Sequence, residues 1–266
     1  MTTRRVTLVL PAYNEEGRLG AALDELYTYL ERQPAVSTGL DVLVVDDGST
    51  DGTVDLVRAR PEAATAGSAG GSPLTVLSVP HGGKGAAVRA GMLAATGDVI
   101  VFADADMATP PDQLPLMLAA LGTADVAVGS RIQPDGSDMR ATQPPYRRLL
   151  GKAFHLLASI WVVGPVQDTQ CGFKGFTRAA ARDLFPRQRI DSIVFDVELI
   201  YLARRRGYRL AIVPIRWSDR RGSRMQARAS LALRVAWDLF RIPLIHRGVG
   251  AVADLRENGP QDATDG

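Results

Sequence analysis

The chain has a single cysteine, Cys171, so no internal disulfide can form. A disulfide-stapled scaffold is excluded, and a reducing cytosol is the expected compartment. Only three of its 31 basic residues are lysine, and it has three histidines. No Ser-His-Asp order or zinc-ligand spacing stands out. Aromatics make up 6% of the residues, too few for stacking readout of bases, so no nucleic-acid partner is expected. No stretch reaches the roughly 18 apolar residues of a membrane span. The most apolar one, Phe154 to Val166, is interrupted by His155, Gly164 and Pro165. Met1 to Arg5 lead straight into a strand-like segment, so no leader peptide is expected.

What remains is an ordinary soluble composition: 266 residues, 46% hydrophobic and 23% charged. That length suits one large domain or one domain with an appendage. The net charge of +2 conceals an asymmetry. Residues 204–247 hold 12 arginines against only Asp219 and Asp238, a local balance of +10. A segment so basic calls for an anionic partner, with nucleic acid, membrane headgroups and phosphorylated ligands as the candidates and nucleic acid disfavoured by the scarcity of aromatics.

The first half alternates short apolar runs with helical patterns. Val6–Leu10, Val42–Val45, Leu74–Val79, Val99–Ala103 and Val126–Val128 read as strands. Leu19, Ala22, Leu23, Leu26 and Leu30 keep a helical period. Thr50 or Asp51 can cap a helix reaching Arg58; residues 61–73 read as a loop. Lys84–Ala95 and a segment from Pro110 and Pro111 to Leu121 read as further helices. This pattern predicts an α/β fold with a mostly parallel central sheet and helices on both faces. Ligands of such sheets bind beyond the carboxyl ends of the strands, where every polar cluster of this half falls. The second half is less regular. Residues 132–144 read as a polar loop, Tyr146–Val163 as a helix, Cys171–Thr177 as a strand, Phe195–Arg206 as a helix and Leu210–Ile215 as a strand. Residues 224–242 form an amphipathic pattern. Arg224, Arg228, Arg234, Asp238 and Arg241 share one face; Ala229, Leu233, Ala236, Trp237, Phe240 and Leu244 lie near the other. Pro243 is expected to end or kink that helix.

Asp104-Ala105-Asp106 puts two carboxylates just past an apolar strand, where they could converge on one hard cation, Mg2+ or Mn2+. The alternative is a solvated turn ahead of the Pro110 helix. Asp46 and Asp47 open a run Asp-Asp-Gly-Ser-Thr-Asp-Gly, which could contact a nucleoside or simply cap the next helix. Gly82-Gly83-Lys84-Gly85 could cradle phosphate at a helix start, or serve as an entry turn; its spacing is not that of a P-loop. Arg131, Arg147 and Arg148 could clamp a diphosphate or be merely solvated. Asp168, Asp196 and Glu198 lie in apolar surroundings, each a candidate base or half of an ion pair. His155 lies on an apolar pattern and is expected to pack, and His81 and His246 show no partner in the sequence.

Val6-Thr-Leu-Val-Leu-Pro-Ala-Tyr-Asn-Glu-Glu16, then Val44-Val-Asp-Asp-Gly-Ser-Thr-Asp-Gly52, then Asp104-Ala-Asp106 resemble family 2 glycosyltransferases, whose catalytic domain has the GT-A fold. Asp168-Thr-Gln-Cys-Gly-Phe-Lys174, Phe195-Asp-Val-Glu-Leu199, Pro214-Ile-Arg-Trp217 and Gly222-Ser-Arg-Met225 resemble the polyprenyl-phosphate branch, closest to the dolichyl-phosphate β-glucosyltransferases. The resemblance implies a GT-A catalytic domain over 1–225, with a donor half at about 4–131 and an acceptor half at about 132–225. A basic amphipathic helix at 226–247 and a polar tail at 248–266 would follow. It implies an inverting enzyme moving glucose from UDP-glucose onto polyprenyl monophosphate. A GDP-mannose donor or a small soluble phosphorylated acceptor is the alternative. Ala108, where the mannosyl branch typically has Gln, leans toward glucose.

Carried across on the matching motifs, donor contacts fall on Pro11, Ala12, Tyr13, Glu15, Asp46, Asp47 and Lys84, and the metal and diphosphate motif on Asp104, Ala105 and Asp106. Arg131 matches the arginine of a Gly-Ser-Arg strand end, and Asp168 an aspartate proposed as base or acceptor-site residue. Arg221, Ser223 and Arg224 match a segment that meets phosphate near the membrane, with Arg224 in place of the usual lysine. The Gln-x-x-Arg-Trp motif of processive synthases is absent. The implied cofactor is Mg2+ or Mn2+. The implied partners are a nucleotide-sugar donor, a polyprenyl-phosphate acceptor and an anionic membrane surface. The expected location is cytoplasmic, with contact to the cytoplasmic face of a membrane made peripherally through helix 224–242.

Overall fold

The computed structural model describes residues 4–64, 72–139, 162, 166, 168–220 and 229–251. In chain order its elements begin with β1 (Val6–Ala12), α1 (Glu16–Glu31), α2 (Pro34–Ser37), β2 (Leu40–Asp46), α3 (Thr53–Arg58), α4 (Pro61–Ala64) and β3 (Leu74–Ser78). Next come α5 (Lys84–Ala94), β4 (Val99–Ala103), a 3-10 turn (Pro111–Gln113), α6 (Leu114–Ala120) and β5 (Val126–Ser130). The second half adds β6 (Phe173–Thr177), α7 (Arg178–Leu184), a 3-10 turn (Phe185–Arg187), α8 (Phe195–Arg205), β7 (Leu210–Pro214) and α9 (Ala229–Ile245).

Seven strands form one sheet in the order β3-β2-β1-β4-β6-β5-β7. Apolar residues alternate between its faces because successive strand side chains point opposite ways. Leu8, Leu10, Val42 and Val44 meet Leu19, Leu23 and Leu26 of α1 on one side. Val9, Val45, Ile100 and Phe102 meet Val88 and Met92 of α5, and Phe195 of α8, on the other. Helices on both faces explain why β4 and β5 are buried along their whole length.

The sheet is mixed, as the expected mostly parallel sheet allows: β6 runs antiparallel to both β4 and β5, while the other pairings are parallel. Ala103, the last residue of β4, sits opposite Phe173, the first of β6. Residues leading into β6 therefore share the edge where β1, β2, β4 and β5 leave the sheet. The reversal brings Asp168–Gly172 beside Asp104–Asp106 across 60-odd residues of sequence.

Three local expectations are corrected. Helix α3 starts at Thr53, not Thr50 or Asp51, with Gly52 at its N-cap. Asp51 still supports that start, its Oδ1 accepting the Thr53 amide at 3.1 Å. Residues 61–64 of the expected loop are a helical turn. Pro243 neither ends α9 nor stands beyond it; the helix runs through to Ile245. Proline so near a helix end removes one hydrogen bond and leaves little helix beyond to disrupt. The helix expected over Tyr146–Val163 lies outside the described residues apart from Val162.

Candidate active site

The edge of the sheet is built by loops that close on one another through carboxylates and backbone amides. Asp46 and Asp47, at the exit of β2, are both buried. Asp47 accepts the Gly82 amide at 2.8 Å and the Gly83 amide at 2.9 Å, while His81 Nδ1 lies 2.9 Å from its Oδ2. Asp46 accepts the Ser49 amide at 3.1 Å. Asp47 is thus the anchor of the glycine loop ahead of α5, and neither aspartate caps the next helix, α3, whose N-cap is Gly52. Gly48 (φ 71°) makes it possible, since a Cβ there would lie 2.9 Å from the His81 amide nitrogen.

The turn after β1 is locked to the same loop. Asn14 (φ 53°) donates its amide to Ser49 Oγ and accepts the Thr50 amide, both at 2.8 Å. Tyr13 stacks on His81, ring centroids 4.2 Å apart, and is more than a third exposed. Ala12 is buried and its carbonyl receives the Asp47 amide at 2.9 Å; Pro11 is half-buried beside it in β1. Glu15 is held by Arg18, at 2.5 and 2.7 Å.

Asp104 and Asp106 leave β4 in a tight turn in which Met107 adopts φ 50°, uncommon for a bulky side chain. Ala105 between them is buried. Asp106 Oδ1 accepts the Ala108 amide at 3.0 Å, and Asp104 Oδ1 accepts Lys84 Nζ at 2.5 Å. Burial raises the Asp106 carboxyl above its ordinary range, and the neighbouring Asp104 charge raises it further. Lys84 is bonded to Asp104 alone, and two like charges so close together favour an added cation. Among the described residues no group of three or more His, Cys, Asp or Glu assembles. A pair of carboxylates is nonetheless what Mg2+ or Mn2+ uses when substrate phosphates complete its shell. The residues present fit such an ion. Gly172 is part of the cradle: a Cβ on it would fall 2.1 Å from an Asp104 carboxylate oxygen.

Arg131, just past β5, is paired with Asp168. Asp168 Oδ2 accepts the Arg131 amide and Nε at 2.8 Å, and Oδ1 accepts Nη2 at 2.6 Å. Arg131 also lies over the Trp217 ring, 5.5 Å from its centroid. Burial opposes its charge, but the hydrogen bonds and charge of Asp168 outweigh this and hold its pKa above the usual value. In this arrangement Asp168 orients Arg131.

The sequence profile described as Glycosyl transferase family 2 matches residues 7–185, more than half of the chain. The chain belongs to glycosyltransferase family 2. It is 38% identical to the dolichyl-phosphate beta-glucosyltransferase ALG5C of Trichomonas vaginalis, over 96% of this chain and 76% of that protein. It is 34% identical to the human dolichyl-phosphate beta-glucosyltransferase, over 84% and 70% respectively. A crystal structure of glucosyl-3-phosphoglycerate synthase from Mycobacterium tuberculosis, in complex with Mn2+, UDP and glucosyl-3-phosphoglycerate, shares the fold. Its TM-score is 0.59 at 21% identity, covering 92% of this chain and 81% of that one. The GT-A expectation therefore stands.

The second half of this glycosyltransferase holds groups that its sequence left without partners. Lys174, on β6, is fully buried and donates to Asp196 Oδ1 at 2.5 Å and the Cys171 carbonyl at 2.6 Å. Glu198 accepts the Arg189 and Ile190 amides at 2.8 and 2.9 Å and lies 2.6 Å from His246 Nε2. His246 and His81 thus both have partners, against expectation, because each meets a carboxylate distant in sequence. Asp196 is half of an ion pair with Lys174, one of the two readings open from the sequence, and Glu198 is held by His246 and two backbone amides. The one signal for Lys174 was a lysine inside an otherwise apolar strand. Cys171 is buried with its thiol pKa pushed up to about 12, first by burial and then by Asp168, which suits a packed thiol and not a nucleophile. Arg221, Ser223 and Arg224, with Arg147, Arg148 and His155, lie outside the described residues.

Helix α9 packs one edge of its apolar residues on the domain and turns its aromatic ones outward. Leu239 and Ile242 are buried against the domain with Asp238 and His246. Trp237 is 61% exposed, Phe240 49% and Leu244 53%. The aromatic face faces outward, and Arg234 and Arg247 are exposed beside it. No helix among the described residues is long and apolar enough to cross a membrane.

Proposed function

We propose that the enzyme transfers glucose from UDP-glucose to a polyprenyl monophosphate with inversion, giving a β-linked sugar phosphate lipid. The carrying observation is the Asp104–Asp106 pair, with Lys84 on Asp104, at the mouth of the sheet, in a chain whose relatives are named dolichyl-phosphate beta-glucosyltransferases. An acceptor phosphate oxygen forms a bond to the anomeric carbon. The bond from that carbon to the donor's diphosphate oxygen breaks, and the nucleoside diphosphate leaves with the electron pair. The acceptor phosphate is already ionised near neutral pH, so a general base is dispensable. This agrees with the engagement of Asp168 by Arg131.

Asp104 and Asp106 would hold the divalent ion, which when bound supplies positive charge to the leaving diphosphate. Lys84 lends a second positive charge there, and the Arg131–Asp168 pair fixes a guanidinium at the rim. Tyr13, at the exit of β1, is the exposed ring available to a nucleobase. Arg221, Ser223 and Arg224 would meet the acceptor phosphate. The outward face of α9 would rest on an anionic membrane surface on its cytoplasmic side, with Trp237 and Phe240 at the headgroup level and arginines worth about 1 kcal/mol each.

The test is a transfer assay with radiolabelled nucleotide sugars, polyprenyl phosphate in detergent, and Mg2+ or Mn2+. Labelled lipid from UDP-glucose, abolished by EDTA, is the expected result. Labelled lipid from GDP-mannose alone would replace the donor. Donor hydrolysis without lipid product from any sugar would overturn the acceptor and point to a small soluble phosphorylated one.

A further inference from the structure

The turn that carries Asp104 and Asp106 is held from outside by the chain that leaves β7. Met107 is buried with φ 50°, a backbone state that a bulky residue keeps only where its surroundings fix it. Within the turn, the Met107 amide donates to the Asp104 carbonyl at 3.1 Å, and the Ala108 amide to Asp106 Oδ1 at 3.0 Å. The next two carbonyls are taken by residues 218–220. Arg220 donates to the Met107 carbonyl from Nη2 at 3.0 Å and from Nε at 3.3 Å, and the Ser218 amide donates to the Ala108 carbonyl at 2.9 Å. Glu25 of α1 steadies the same guanidinium, its Oε2 lying 2.8 Å from Nη2. The ion pair with Glu25 is more than a third exposed on both sides, so it adds little to stability.

Its effect on geometry is larger. The Met107 carbonyl and the Ala108 amide belong to one peptide unit, which is planar. Arg220 grips that plane at its oxygen, and Asp106 is held at its N–H. A swing of the carbonyl would carry the N–H away from Asp106 Oδ1. We propose that Arg220 is a positioning residue for Asp106: by fixing the Met107–Ala108 peptide it holds the Asp106 carboxylate in place for the divalent cation. This rests on the metal reading of Asp104 and Asp106 above.

The test is Mn2+ binding to the free full-length enzyme, followed by electron paramagnetic resonance. Arg220→Met removes the donors and should weaken binding about tenfold, the scale of losing a group that orients a metal ligand. Arg220→Lys keeps one donor for the carbonyl and should stay within about threefold of wild type. Charge alone gives the opposite order, because losing a cation beside two carboxylates tightens Mn2+ and keeping one does not. Binding by Arg220→Met as tight as wild type, or tighter, overturns the proposal. So does a lysine variant no better than the methionine one, which would assign the loss to packing. If Arg220→Met does not fold, Arg220→Ser, neutral and too short to reach the carbonyl, decides in its place by the same outcomes. Normal Mn2+ binding that ignores these substitutions sinks this inference alone, whereas no Mn2+ binding by wild type sinks the metal assignment with it.

Discussion

The carboxylates at the rim of the sheet and those behind it are treated differently. At the rim, Asp104 and Asp106 lie two residues apart with Lys84 on one of them and a backbone amide on the other. Asp168 beside it, and Asp196 and Glu198 behind it, each meet a basic side chain of their own: Arg131, Lys174 and His246. Buried carboxylates in apolar surroundings must be matched to stay ionised, so the inner set is saturated. The outer pair has one direct ion pair, Lys84 on Asp104, and that balance is what supports the proposed cation there. Acidity alone does not distinguish a ligand site from a structural one; the local balance of partners does.

That contrast can be broken, from the inside outward. Lys174→Met leaves Asp196 buried and unpaired, and should cost about 3–5 kcal/mol in urea unfolding. A loss under about 1 kcal/mol would mean that Asp196 is neutral in the fold. Asp106→Asn, at the rim, should instead leave the unfolding midpoint unchanged while turnover falls by about 100- to 1000-fold. Preserved turnover would remove the cation from this pair. Gly172→Ala should reduce Mn2+ affinity by about 10- to 100-fold, because the new methyl group must push the Asp104 carboxylate aside.

Smaller effects sharpen the outer surfaces. Trp237→Ala should change stability by less than about 0.5 kcal/mol, as exposed positions do, yet reduce co-sedimentation with anionic vesicles. Equal vesicle binding by both proteins would detach α9 from the membrane role. Cys171 should resist a thiol reagent at pH 9 in the fold and react on unfolding, since its folded pKa of about 12 keeps the proton on sulfur. The sign follows: the fold retains this proton through alkaline pH, so the contribution is whole below the thiol's ordinary pKa and lost as pH rises toward 12.

Much of the donor side was legible because it is local. Val6–Leu10, Val42–Val45 and Val99–Ala103 are apolar runs of strand length, and the residues that follow them must lie at one sheet edge if the strands are parallel. The motifs at those ends identified the family before any contact was known. The second half was less legible because its meaning depends on pairs. Nothing near His246 in sequence announces Glu198, and nothing near Lys174 announces Asp196. The outward turn of Trp237 and Phe240 was likewise hidden, since helical periodicity separates two faces without saying which one meets the domain.

The sequence by itself determined the strands, the helices between them, the family and the carboxylates at the strand ends, because hydrophobic period and short motifs are properties of neighbouring residues. Only the tertiary structure decided which of the acidic residues are already matched. The antiparallel return of β6 brings Asp168, Gly172 and Lys174 alongside β4, and partners separated by tens of residues are chosen by that topology, not by spacing along the chain.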